Sequence, residues 1–226
     1  MESTIARDNV KHLFLMSSFR GSGVAEVVLQ RAAVILNKPL AKLKLSYITT
    51  AGNLHPKAER SWIDDGRQIL LDYGIDLYEY DIADKTSAAV QQELAGKDII
   101  FVQGGSTFYL LEQMQKCGFA EILRQCLSQD TIYFGESAGA IVAGRNIAAS
   151  RYLSTDKSIQ LEDYHGLGLV DFILKPHWNR DRKREQYLNT LRDNLEEIFS
   201  IKQPIICLND NQLVYVEGEK FQILEG

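Results

Sequence analysis

The sequence predicts an α/β fold: a mostly parallel sheet with helices on both faces and an antiparallel hairpin at its C-terminal end. Short apolar runs alternate with stretches of helical spacing over the first two thirds of the chain, the pattern of strand–helix–strand units. Three of those runs are apolar almost throughout, as strands covered on both faces must be. Short strand-like runs end the chain, the last two joined at Glu217-Gly218-Glu219, a hairpin signal.

The strand-like runs are residues 12–17 (HLFLMS), 45–49 (LSYIT), 76–80 (DLYEY), 98–103 (DIIFVQ) and 131–134 (TIYF). Between them, residues 24–36 place Val24, Val27, Val28, Ala32 and Ile35 on one stripe. Residues 57–73 do the same with Trp62, Ile63, Ile69 and Leu70. Residues 108–114 and 119–127 continue the helical pattern after the fourth run. Residues 171–175 read as another strand and 181–199 as one long charged helix stopped before Pro204. Residues 205–208, 212–216 and 220–224 read as three short antiparallel strands. No repeat, low-complexity tract or linker interrupts the chain, so the 226 residues are expected to form one domain.

Composition excludes several classes. The chain is 45% hydrophobic and 24% charged, with a net charge of -5, which gives no general attraction to nucleic acid or an anionic membrane. No apolar run reaches the ~20 residues needed to span a bilayer, and the N-terminus lacks the pattern of a signal peptide. Cys117, Cys126 and Cys207 are widely spaced in apolar settings, which fits small buried hydrophobes better than disulfides or zinc ligands. A cytoplasmic protein without metal or cofactor is the expectation.

The chemistry concentrates in Gly135-Glu136-Ser137-Ala138-Gly139-Ala140. This Gly-x-Ser-x-Gly pattern follows a strand and opens an apolar helix, the context in which a serine is held on a sharp turn above the sheet edge. As a bare pattern it is common, and Ser137 could instead cap a helix; the flanks favour a nucleophile. The Ala138 N–H lies in the first turn of that helix, where it can face an oxyanion. A second donor is expected from residues 102–108 (VQGGSTF), at the end of the neighbouring strand, with Gly105 preferred and Gly104 next to it.

A serine needs a base. Of the four histidines, His177 sits at the carboxyl end of the 171–175 strand, where it can face Ser137. His12 starts a strand, and His55 and His165 fall in loops; position alone does not exclude His55. The carboxylate that orients the imidazole is open among Asp156, Glu136, Glu162 and Asp163. Arg180, Arg182, Lys183 and Arg184 form a basic run.

Taken together, Gly-x-Ser-Ala-Gly-Ala, the Gly104-Gly105-Ser106-Thr107-Phe108 strand end and Pro176-His177-Trp178 resemble the aspartyl dipeptidase family of serine peptidases, relatives of cyanophycinase. The resemblance covers most of the chain. It implies a sheet like that of class I glutamine amidotransferases, a flavodoxin-like arrangement with serine in place of their cysteine. It implies Ser137 as nucleophile, His177 as base, Asp156 in its Ser-Thr-Asp-Lys segment as acid, and Gly105 and Ala138 as oxyanion donors. It further implies Arg184, with Arg180 and Gly104 nearby, as substrate contacts for peptides with an N-terminal aspartate. The implied partner is a small peptide, with a homodimer as an option. The alternatives are an esterase or thioesterase with the same elbow, and a non-catalytic binding protein of the same fold.

Overall fold

The computed structural model describes residues 11–153 and 159–226. Each apolar run forms a strand close to its expected bounds. β1 (His12–Met16) leads to α1 (Val24–Leu36), and β2 (Lys44–Ile48) to α2 (Ser61–Asp72). β3 (Asp76–Tyr80) is followed by α3 (Ser87–Leu94). β4 (Ile99–Val102) is followed by α4 (Thr107–Lys116) and α5 (Phe119–Leu127). β5 (Ile132–Glu136) runs into α6 (Ala138–Ile141), a single turn. The last third holds α7 (Ser150–Leu153), β6 (Ile173–Lys175), α8 (Asp181–Asp193), α9 (Leu195–Ser200), β7 (Ile205–Cys207), β8 (Gln212–Glu217) and β9 (Lys220–Glu225).

Seven strands form one sheet in the order β3-β2-β4-β5-β1-β8-β9. β3, β2, β4, β5 and β1 are parallel, while β8 runs antiparallel to β1 and β9 antiparallel to β8. The arrangement is flavodoxin-like with a C-terminal antiparallel hairpin. Side-chain alternation sorts the core onto two faces. Leu13, Leu15, Ile100, Val102 and Tyr133 pack on one face beneath α3, α4 and α5. Phe14, Met16, Phe101, Phe134 and Tyr47 pack on the other beneath α1 and α2. On that second face Phe14, Phe134, Phe101 and Tyr47 form a chain of edge-to-face rings, 5.2–5.8 Å between centroids. Each such buried ring contributes about 1.5–3 kcal/mol by leaving water.

Two expectations for the last third are corrected. β7 does not join the hairpin. It pairs parallel with β6 in a separate two-stranded sheet, Ile173 opposite Ile205 and Lys175 opposite Cys207. The run after Pro204 therefore lies beside the strand that precedes His177, and only β8 and β9 are antiparallel. The long helix is two: it breaks at Asn194 (φ -134°, ψ 30°), whose side-chain amide donates back to the Thr190 carbonyl at 2.8 Å. Such local amide bonds compete with helix continuation. Cys117 and Cys126 are buried as expected, but Cys207 on the short β7 is exposed.

The registers decide where the chemistry sits. Val102 pairs with Gly135 and Met16 with Glu136, so β4, β5 and β1 end at one rim. Ligands of parallel α/β sheets bind at that rim.

Candidate active site

Ser137 directly follows β5 with φ 49° and ψ -105°, an unusual backbone for a side-chain-bearing residue. The surrounding chain holds it there. The Ser137 N–H donates to the Met16 carbonyl at 3.0 Å, tying the turn to the end of β1. Gly139 lies so close to β4 that a Cβ there would sit 2.2 Å from the Val102 carbonyl oxygen. The serine is left partly exposed above a packed turn, the nucleophile-elbow geometry.

His177 is also left-handed, φ 63°, and follows β6. Its Nε2 lies 3.0 Å from Ser137 Oγ. Its Nδ1 lies 2.5 Å from Oδ1 of Asp210, a carboxylate on the turn between β7 and β8. The other oxygen, Oδ2, accepts from Arg180 Nε at 2.7 Å. Both members of the pair are mostly shielded, the His177 side chain 14% and the Asp210 side chain 22% exposed. Partial burial pushes the Asp210 carboxyl up, but hydrogen bonds from His177 and Arg180 and their charges outweigh it. They hold it well below the usual carboxylate range.

Beside Ser137, the segment that follows β4 carries Gly104 and Gly105. A Cβ on Gly104 would stand 3.1 Å from the Ser137 Cβ, so the strand end and the elbow touch. Gly105 adopts φ 145°, and a Cβ there would collide with the Ala51 carbonyl oxygen at 2.2 Å. Only glycine fits this position. No backbone carbonyl among the described residues takes the N–H of Gly105 or Ala138. Ser137, His177, Gly104, Gly105 and Arg180 line one cleft of about 580 Å³. Trp62, His55, Lys175 and Tyr187 line its walls. Trp62 Nε1 donates to the Gly104 carbonyl at 3.3 Å, and His55 stacks edge-on against that indole. Lys175 is buried, donates to the Pro176 carbonyl at 3.1 Å and lies 3.2 Å above the Tyr187 ring.

The structure thus brings together Ser137, His177, Gly104, Gly105, Ala138 and Arg180. Asp156 lies outside the described residues. Of the other carboxylates considered from sequence, Glu136 points beneath the turn, where Oε1 accepts from the Phe19 N–H at 3.0 Å. Asp163 pairs with His165 at 2.6 Å on the surface. Arg184, one turn along α8 from Arg180, is not among the cleft-lining residues. His12 bonds Tyr215 at the opposite end of β1, 2.8 Å. Sequence reasoning missed Asp210. Asn209-Asp210-Asn211 reads as a turn, and its place at the site depends on β7 pairing parallel to β6, which no local pattern announces.

The fold and this rim place a serine on a strand-to-helix elbow at the edge of a flavodoxin-like sheet, the arrangement of a serine hydrolase. Residues 13–224 match peptidase family S51. An uncharacterized peptidase of Pasteurella multocida is 30% identical over 96% of this chain and 98% of its own length. A peptidase E of Shewanella amazonensis is 26% identical over 59% of this chain and 57% of its own. The crystal structure of a Listeria monocytogenes EGD-e protein described as a candidate peptidase E superposes with a TM-score of 0.77 at 26% identity, covering 96% of this chain and 98% of that one. The chain belongs to peptidase family S51, the aspartyl dipeptidase or peptidase E family of serine hydrolases. Among the described residues no helix is long and apolar enough to cross a membrane.

Proposed function

We propose that this chain hydrolyses amide bonds in short peptides with Ser137 as nucleophile, His177 as general base and acid, and Asp210 as the orienting carboxylate. The observation that carries the reading is the continuous line Ser137 Oγ, His177 Nε2, His177 Nδ1 and Asp210 Oδ1, with contacts of 3.0 and 2.5 Å. Asp210 fixes the imidazole tautomer that leaves Nε2 free to accept the serine proton, and stabilises the imidazolium that results. The serine oxygen adds to the scissile carbonyl, and the N–H groups of Gly105 and Ala138 hold the oxyanion. His177 returns the proton to the departing amine, and water then releases the acyl group by the same route.

The cleft of about 580 Å³ has room for a dipeptide rather than a folded chain. Three cationic side chains, Arg20, Lys175 and Arg180, line it, which favours an acidic peptide over a basic one. The test is turnover of a panel of Asp-X, β-Asp-X, neutral and basic dipeptides by wild type beside Ser137→Ala. Turnover of the acidic members by wild type, abolished by S137A, is expected. Equal turnover by both proteins would sink the proposal.

A further inference from the structure

The residue that follows the first strand touches both His177 and Asp210 and is not among those that line the cleft. Ser17, fully buried, follows β1. Its hydroxyl oxygen accepts the His177 backbone N–H at 2.8 Å, and its proton is donated to Asp210 Oδ1 at 3.0 Å. One hydroxyl donates once and accepts twice, so both bonds form together. Its own N–H donates to the Gln212 carbonyl at 3.2 Å, which fixes Ser17 against the start of β8. No pattern around Ser17 marks it in the sequence.

We infer that Ser17 is a positioning residue for the site proposed above, locking the His177 backbone and the Asp210 carboxylate in one geometry. His177 is held at φ 63°, a conformation that side-chain-bearing residues adopt only when the surroundings impose it. The Ser17 hydroxyl imposes it by taking the N–H of that same residue. Asp210 Oδ1 is the oxygen that His177 Nδ1 also uses, so Ser17 and the imidazole share one acceptor. The neighbouring residues of the segment tie in the nucleophile as well: Met16 O takes the Ser137 N–H, and Phe19 N–H binds the Glu136 carboxylate one residue before Ser137. The end of β1 is therefore the frame from which nucleophile, base and carboxylate are all hung.

Removing the hydroxyl leaves Asp210 Oδ1 with one donor fewer, so the carboxylate attracts the imidazolium proton more strongly. The charged groups around the pair are Arg180 on Oδ2, Lys175 two residues before the histidine, and Glu136 and Arg20 on the same cleft. All are retained in Ser17→Ala and Ser17→Cys, the second of which keeps a weak donor on a somewhat larger side chain. The test follows two quantities in each folded variant: the His177 Nδ1 proton resonance, which needs no substrate, and the pH profile of kcat/KM on the best dipeptide. The expected result is a displaced or broadened Nδ1 resonance, kcat lowered about 10- to 100-fold with KM within about twofold, and an acid limb moved to higher pH, while the melting curve stays cooperative. An unchanged resonance or an unchanged kcat in either variant overturns the inference. This inference rests on the proposed hydrolysis, yet the two fail separately. A wild-type protein that turns over no member of the panel sinks the hydrolysis, and the resonance still decides the positioning.

Discussion

At the scale of single residues, the site turns on which carboxylate meets the imidazole. Asp210 shares its two oxygens among three donors: His177 and Ser17 on Oδ1, Arg180 on Oδ2. Held below the usual carboxylate range, it stays charged wherever the imidazole titrates, so Asp210 adds no ionisation of its own to the acid side of kcat/KM. Asp210→Asn keeps the shape but presents an amide that can offer N–H to Nδ1 and select the wrong tautomer. Its kcat is expected to fall about a thousandfold or more with little change in KM, whereas Asp156→Asn stays within a few-fold of wild type. Steady-state kinetics of the two variants side by side decide the matter; the reverse ranking assigns the acid to Asp156. Ser137 and His177 were legible in the sequence because each sits in a local pattern, an elbow and a strand end. Asp210 and Ser17 were not. Each reaches the site through pairing between strands distant in the chain, 33 positions from His177 to Asp210 and 160 from Ser17 to His177.

At the scale of elements, the elbow works because three strand ends and one helical turn approach more closely than side chains allow. The Gly139 Cα packs on the last carbonyl of β4, and a methyl group there meets the Val102 oxygen at 2.2 Å. Backbone must then move, either in β4, which leads into Gly104 and Gly105, or in α6, which carries the Ala138 N–H. Gly139→Ala is expected to lose roughly 2–3 kcal/mol of stability. That corresponds to a melting temperature lower by about 5–10 °C in a chain of this size, and turnover falls with it. A melting temperature within about a degree of wild type would show that the turn is looser than its contacts imply. Strands β1 to β5 and helices α1 and α5 were readable because their apolar periodicity is set by the two faces of one sheet. The last third was less so. β6 and β7 are three residues each, too short for periodicity to show direction, and a hairpin is the default reading for short strands in succession. The break at Asn194 comes from one side-chain amide rather than from a change in apolar pattern. The one-turn helix α7 is too short to carry a helical signal.

At the scale of the whole molecule, one buried charge links folding to pH. Glu136 is 4% exposed at the centre of the sheet, where the end of β5 meets the segment after β1. Burial pushes its carboxyl up from 4.5 to about 7, against the opposing pull of the Phe19 N–H and the Arg20 charge. In the unfolded chain the same group ionises near 4.5. Between those two values the folded state keeps a proton that the unfolded state has lost, so stability falls as pH rises. The contribution is complete below the unfolded value and disappears above about 7, with a span of about 3 kcal/mol. Asp210 acts in the opposite sense: its carboxyl is depressed, so its contribution is present at neutral pH and lost on acidification. Glu136→Gln keeps the acceptor for the Phe19 N–H and removes the titration. Urea unfolding at pH 5, 6, 7 and 8 is expected to show the variant close to wild type at pH 5 and more stable by roughly 2–3 kcal/mol at pH 8. A wild-type-to-variant difference that is the same at all four pH values would mean that the carboxyl is already ionised in the folded protein. The burial that surrounds it would then fail to exclude water from the floor of the elbow.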